Sequence, residues 1–187
     1  GSTQGDTILV DRDRMPGAKW FPEARLNFAE NLLRRRDRTP AIVFWGEDQL
    51  KSRVTWAELH AEVSRLAQAL RAQGVVAGDR VAAYLPNLPG AVIGMLATTS
   101  IGAVWSSCSP DFGVQGVLDR FGQIEPKILV AVEGYHYNGK SHDCLAKVKE
   151  IVAGLPTLQK VVAVSYTRDK PALDGIPNAV HYADFVA

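Results

Sequence analysis

Residues 78–123 read GDRVAAYLPNLPGAVIGMLATTSIGAVWSSCSPDFGVQGVLDRFGQ, and this stretch decides the fold class. Residues 81–85 are a short, nearly all-apolar run closed by Pro86, the pattern of a strand buried on both faces. Leu88, Val92, Met95, Leu96 and Thr99 then recur at helical spacing, and Gly102 is placed to end that helix in a left-handed conformation. Residues 103–106 resume as strand and run into the loop Ser-Cys-Ser-Pro-Asp-Phe-Gly at 107–113. Strand, helix, strand, loop and helix in succession form the repeating unit of a parallel α/β sheet. Loops leaving the carboxyl ends of such strands are where ligands usually sit, so 107–113 is the expected functional surface.

The chain on either side fits the same plan. Downstream, residues 114–124 are expected as a helix closed off by Pro126, and 127–132 as a second buried-type strand. Residues 134–140 read as a loop, 144–152 as a helix on Leu145, Val148, Ile151 and Val152, and 160–165 as the last clear strand. Beyond Tyr166, RDKP at 168–171 and GIPN at 175–178 mark a loop-rich tail with little of its own to bury. Upstream, residues 41–45 and 52–55 read as a hairpin joined through Gly46, Glu47 and Asp48. Thr55 and Glu58 have capping-box spacing, and Leu59, Val63, Leu66 and Leu70 mark one face of a helix ending at Gly74. Trp56 reads as a core or staple residue, and His60, with no ligand partner at helical spacing, as a surface histidine.

The expected organisation is an N-terminal arm over 1–38 followed by an α/β unit over 39–187, a parallel sheet flanked by helices. Residues 1–17 are polar and aperiodic, and Gly1-Ser2 has the look of a cloning scar. Residues 26–36 read as a short amphipathic helix with Phe28, Leu32 and Leu33 as its apolar side. The Arg34-Arg35-Arg36 run is then read as cations at a helix C-terminus rather than a nucleic-acid patch.

At 187 residues the chain is long enough for one well-buried core, and its apolar and charged contents of 47% and 22% are those of an ordinary globular protein. A net charge of +1 gives no electrostatic case for nucleic acid or a membrane surface. No apolar run approaches the roughly 20 residues that span a bilayer, and no signal-peptide pattern opens the chain. Cys108 and Cys144 have neither CxxC nor metal-ligand spacing, so reduced thiols and a cytoplasmic location are expected. No histidine lies near Cys108 in sequence, which favours a buried small hydrophobe over a nucleophile.

Residues 78–127 closely resemble adenylate-forming acyl-CoA synthetases, and within them the acetoacetyl-CoA synthetase branch. Trp20-Phe21-Pro22 with RLNFAENLL at 25–33 resembles the N-terminal signature of the acetyl- and acetoacetyl-CoA synthetases, and YHYNGK at 135–140 matches a third stretch. The resemblance runs from about Trp20 to Tyr166, with its motifs in family order. It implies the first α/β subdomain of the large N-terminal domain of such an enzyme. That enzyme would use acetoacetate, ATP, coenzyme A and Mg2+: a carboxylate attacks the ATP α-phosphate, and the coenzyme A thiol then displaces AMP. The family's Ser/Thr/Gly-rich phosphate loop ending in Pro-Lys has no counterpart here. Its nearest lookalike, ATTSIG at 97–102, lacks the glycines and the lysine that cradle phosphates and is expected to be structural. No GxGxxG or GxxxxGK[ST] occurs either. The chain by itself is therefore expected to be inactive and to hold no cofactor tightly.

The resemblance further implies part of a coenzyme A site. Ser109, Asp111 and Phe112 would lie beside the coenzyme A nucleotide, while Asn138, Gly139 and Lys140 would form the basic loop at its 3′-phosphate. Lys140 stands where that branch has an arginine and can pair with phosphate as a point charge. Tyr137 stands where acetyl-CoA synthetases have a second arginine. A carboxylate at Asp111 next to a polyanion needs a partner, for which Arg120 is the expected residue. A second reading of different class is a short, non-catalytic α/β binding or assembly module. If the sheet is truncated, self-association through its unfinished surface is expected.

Overall fold

The computed structural model describes residues 2–47 and 51–187; Gly1, with its cloning-scar reading, and Asp48 of the expected turn lie outside them. The arm forms a small antiparallel ribbon of β1 (Leu9–Val10) and β2 (Lys19–Trp20), then a helix α1 (Phe28–Leu32). This helix is much shorter than the sequence predicts and presents a different face. Ala29 and, just past its end, Leu33 are buried, while Phe28 and Leu32 are 47% and 42% exposed. Asn27 sets that rotation: its oxygen caps the Glu30 amide at 3.0 Å, and its nitrogen donates to the Ser100 carbonyl at 2.9 Å. The arginines at 34–36 fall beyond the helix, although Arg36 Nε donates to the carbonyl of its C-cap Leu33 at 3.4 Å. Arg35 bonds Asp37 and Thr39 instead, and its guanidinium lies 5.6 Å over the half-buried Trp56 ring.

β3 (Pro40–Trp45) and β4 (Lys51–Thr55) pair antiparallel as predicted, in a ribbon separate from the main sheet. Thr55 then opens α2 (Trp56–Ala72) with a complete capping box. Its hydroxyl accepts from the Glu58 amide at 3.2 Å, and the Glu58 carboxylate accepts from the Thr55 amide at 2.8 Å. Leu59, Val63, Leu66 and Leu70 are buried, as their spacing requires. His60 is half-buried rather than on the open surface, and burial, with Arg36 nearby, holds its imidazole below the ordinary range.

The remaining elements follow in order: β5 (Arg80–Tyr84), α3 (Pro89–Ser100), β6 (Val104–Cys108), α4 (Val114–Phe121), β7 (Ile128–Val132), β8 (Gly134–Tyr137), β9 (Lys140–Asp143), α5 (Leu145–Ala153), β10 (Lys160–Val164), β11 (Ala179–His181) and α6 (Tyr182–Phe185). The main sheet has five strands, all parallel, in the order β11-β10-β7-β5-β6. Residues 81–84 and every residue of β7 are buried, so the sheet centre is covered on both faces. The ATTSIG stretch at 97–102 lies in α3 and its end, with Thr98 fully buried, Thr99 bonded to the Met95 carbonyl and Ser100 to that of Ala97. Among the described residues no helix is long and apolar enough to cross a membrane.

Three segments depart from the sequence reading. Ser107 and Cys108 belong to β6, not to the following loop, because the ladder continues with Ala83 opposite Ser107 and Tyr84 opposite Cys108. Residues 134–143 form an antiparallel hairpin, not a loop over 134–140, and Asp143 at its end accepts from the Leu145 amide that opens α5. The tail is not simply loop: β11 adds a strand beside β10, and Ile176 is buried beneath it.

Candidate functional site

β5 feeds α3 and β6 on one side of the sheet, whereas β7 leads through α5 to β10 on the other. The connections diverge between the carboxyl ends of β5 and β7, the place where open α/β sheets form a ligand crevice. Three structures surround that point: Tyr84 at the end of β5, the loop 109–113 after β6, and the β8–β9 hairpin after β7.

Tyr84 is completely buried, and its hydroxyl donates to the Pro110 carbonyl at 2.7 Å with the Phe112 carbonyl at 3.0 Å. Burial drives this phenol far above the usual tyrosine range, so it stays a donor. Within the loop, Ser109 Oγ donates to the Asp111 carboxylate at 2.8 Å and accepts from the Asp111 amide at 3.3 Å. The Tyr135 hydroxyl, and after it Ser109, hold the Asp111 carboxyl below the ordinary range.

The partner expected for Asp111 was Arg120, and the structure pairs Arg120 elsewhere. Its guanidinium lies 4.3 Å over the Phe112 ring and donates to the Gly116 carbonyl at 2.7 Å. Long helical side chains lean toward the N-terminus, which brings Arg120 back over the residue just before α4. Phe112 and Arg120 thus form one stacked pair, and Ser109 and Asp111 one hydrogen-bonded pair.

The hairpin positions the other candidates. Asn138 and Gly139 have φ of +51° and +70°, the positive values that a two-residue primed turn demands at both central positions. These two residues therefore have a conformational reason to be Asn-Gly, independent of any ligand. The turn sets Lys140 opposite Tyr137 at an exposed tip. Among the described residues the Lys140 ammonium makes no ion pair.

The hairpin base is tied down by a residue that sequence reasoning passed over. Glu133 is completely buried, and its carboxylate accepts from the backbone amides of Tyr166, Thr167 and Arg168 and from the Thr167 hydroxyl. Arg168 also forms an ion pair with Asp143. The available signal was a lone acid directly after five buried apolar residues, a position where a charge must be matched. Cys108 and Cys144 are free and buried, and burial pushes the Cys144 thiol up to about 11, so neither presents a thiolate at neutral pH. Among the described residues no three His, Cys, Asp or Glu side chains gather as a metal site.

The sequence profile of the family described as "AMP-binding enzyme" matches residues 28–182. Acetoacetyl-coenzyme A synthetase of Rhizobium meliloti (strain 1021) is 56% identical over 186 residues, which are 98% of this chain and 28% of that protein. Acetoacetyl-CoA synthetase of Macaca fascicularis is 49% identical over 173 residues, 90% of this chain and 26% of that protein. The solved acetoacetyl-CoA synthetase from Streptomyces lividans superposes with a TM-score of 0.86 at 46% identity, covering 96% of this chain and 28% of that one. The chain thus spans about a quarter of the length of the curated relatives it matches.

Proposed function

The chain belongs to the AMP-binding enzyme family, and from that premise we propose that it is the N-terminal α/β portion of an acetoacetate:CoA ligase. The arm over 1–38 and the unit over 39–187 supply scaffold and one wall of the coenzyme A site. In the reaction, acetoacetate oxygen bonds to the ATP α-phosphorus with loss of pyrophosphate. The coenzyme A sulfur then takes the acyl group, with loss of AMP and of the thiol proton. Nothing in this sequence has the glycines and lysine that cradle ATP phosphates, and among the described residues no acids cluster to hold Mg2+. No step of adenylation is therefore assigned to its residues, and the chain alone is expected to be inactive.

The observation that carries this reading is geometric: loop 109–113 and the Lys140 hairpin converge at the carboxyl ends of β5, β6 and β7. In the reading, Lys140 at the turn built by Asn138 and Gly139 meets the 3′-phosphate. Ser109 and the Phe112–Arg120 pair line the nucleotide, and the ionised Asp111 is engaged by the Ser109 hydroxyl. A cytoplasmic enzyme acting on small molecules, without nucleic acid or membrane, fits this chemistry.

The test is made on the complete reading frame that carries this chain. ATP, Mg2+, coenzyme A and acetoacetate should yield AMP, pyrophosphate and a thioester in equal amounts. A purified, folded product with no acetoacetate-dependent AMP release overturns the proposal.

A further inference from the structure

The hairpin that carries Lys140 is seated on residues 166–168. The Glu133 carboxylate, fully buried just before β8, accepts from the amides of Tyr166, Thr167 and Arg168 and from the Thr167 hydroxyl at 2.5–2.8 Å. Gly134, the first residue of the hairpin, is bare where it meets this segment. A Cβ there would lie 2.7 Å from Thr167 Oγ1 and 2.8 Å from the His142 carbonyl oxygen. Further along β8, His136 meets the Tyr166 ring edge-on, with centroids 5.4 Å apart. At the end of β9, Asp143 pairs with Arg168. The backbone of Glu133 closes the base as well: its carbonyl takes the Cys144 amide at 2.8 Å, and its amide donates to the Val164 carbonyl at 3.2 Å.

We infer that Glu133 is a positioning residue: by holding residues 166–168 as a fixed seat for the β8–β9 hairpin, it sets the direction in which Lys140 meets the 3′-phosphate of coenzyme A. The inference rests on the coenzyme A reading above. A two-stranded hairpin is marginal by itself in water, so its direction comes from what its base packs on. Residues 166–168 lie in no helix or strand, and their three amides share one carboxylate, so Glu133 fixes the shape of the seat. Glu133 itself is cut off from solvent and reaches no ligand; its effect passes from the base of the hairpin to the tip. A loosened seat lets the tip swing, and Lys140 must then be ordered at the moment of binding. That weakens the contact with the 3′-phosphate and leaves chemistry elsewhere in the enzyme alone.

In the complete enzyme, Glu133→Gln leaves one accepting oxygen for three amides and keeps the side-chain volume. The KM for coenzyme A is expected to rise roughly twofold to fivefold, short of the effect of Lys140→Ala, with acetoacetate-dependent pyrophosphate exchange at the parent rate. The KM for dephospho-coenzyme A, which has no 3′-phosphate, should not move. Adding Glu133→Gln to Lys140→Ala should raise the coenzyme A KM no further. Arg168→Ala removes the exposed brace to Asp143, spares the core and should give a smaller rise with the same selectivity. Where Glu133→Gln does not fold, Arg168→Ala decides in its place. Equal losses toward coenzyme A and dephospho-coenzyme A would make Glu133 structural only and overturn the inference. A selective rise in Lys140→Ala beside parent-like values in Glu133→Gln also overturns it, and leaves the coenzyme A reading standing. No selective rise even in Lys140→Ala removes the reading of Lys140, and this inference with it.

Discussion

A carboxylate cut off from water must find its donors inside the protein, and Glu133 takes three consecutive backbone amides and a hydroxyl. Glu133→Ala leaves those amides without an acceptor, a loss of roughly 3 kcal/mol or more of folding stability. Glu133→Gln keeps an accepting oxygen and should cost about half as much. Urea unfolding curves of the two variants check this; an alanine variant as stable as the parent would mean that water satisfies the amides. Lys140 is the opposite kind of residue, exposed and without an ion-pair partner among the described residues. Its Lys140→Ala variant should unfold like the parent while raising the coenzyme A KM of the complete enzyme roughly fivefold to tenfold. Dephospho-coenzyme A, which lacks the 3′-phosphate, should be used equally well by both. Equal weakening toward both substrates would leave Lys140 a solvated lysine.

Between elements, α3 packs against β6 at a bare position of the helix. A Cβ on Gly94 would lie 2.4 Å from Cη2 of Trp105, so the helix reaches its seat only because that position is bare. Gly94→Ala must push the indole or the helix outward, at a cost of about 1–3 kcal/mol, read from the thermal midpoint. Much of this layer was legible in the sequence. The apolar runs of β5 and β7, the face of α2 and its Thr55–Glu58 cap are local patterns, and each forms where it was expected. Other elements depend on partners that no local pattern reveals. The last two residues of β6 are strand because β5 runs alongside them. β11 has three half-buried residues and exists by pairing with β10. The β8–β9 hairpin was legible after all, since Asn138-Gly139 between two polar-aromatic runs is a strong turn signal. At the site, the loop and the hairpin were both picked out, but not the influence of Tyr135 on Asp111, residues 24 positions apart that only the crossing of β5 by the chain brings near each other.

For the whole molecule, acid is the clearest lever. Asp79 is held below the ordinary carboxylate range by the Val76 amide and Lys127, and Asp111 by Tyr135 and Ser109. Groups whose folded pKa is lowered lend stability that is fully present above the unfolded value and lost as pH falls through the folded one. The thermal midpoint should therefore decline slightly below about pH 6.5, as His60 with its lowered pKa begins to charge in the unfolded chain, and drop steeply below roughly pH 4, where carboxylates begin to protonate. A midpoint unchanged down to about pH 3 would show that these carboxylates lend no stability. At the sheet margin, β6 is an end strand with Val104 49% exposed, a surface that invites pairing. The isolated chain should sediment as oligomers, and a monodisperse monomer that binds no apolar dye would show the edge to be protected. The strand order has one more consequence, which belongs to synthesis. Val81 lies between Trp105 and Ile128, so the first strand of the sheet to be made is the one flanked on both sides. Its β6 neighbour emerges after a single helix, but its β7 neighbour must wait for α4 as well. At roughly 5–20 residues per second, the ribosome carries that half-covered apolar strand for a few seconds. Over that interval its protection falls to the exit tunnel and to chaperones, since the sheet cannot yet provide it.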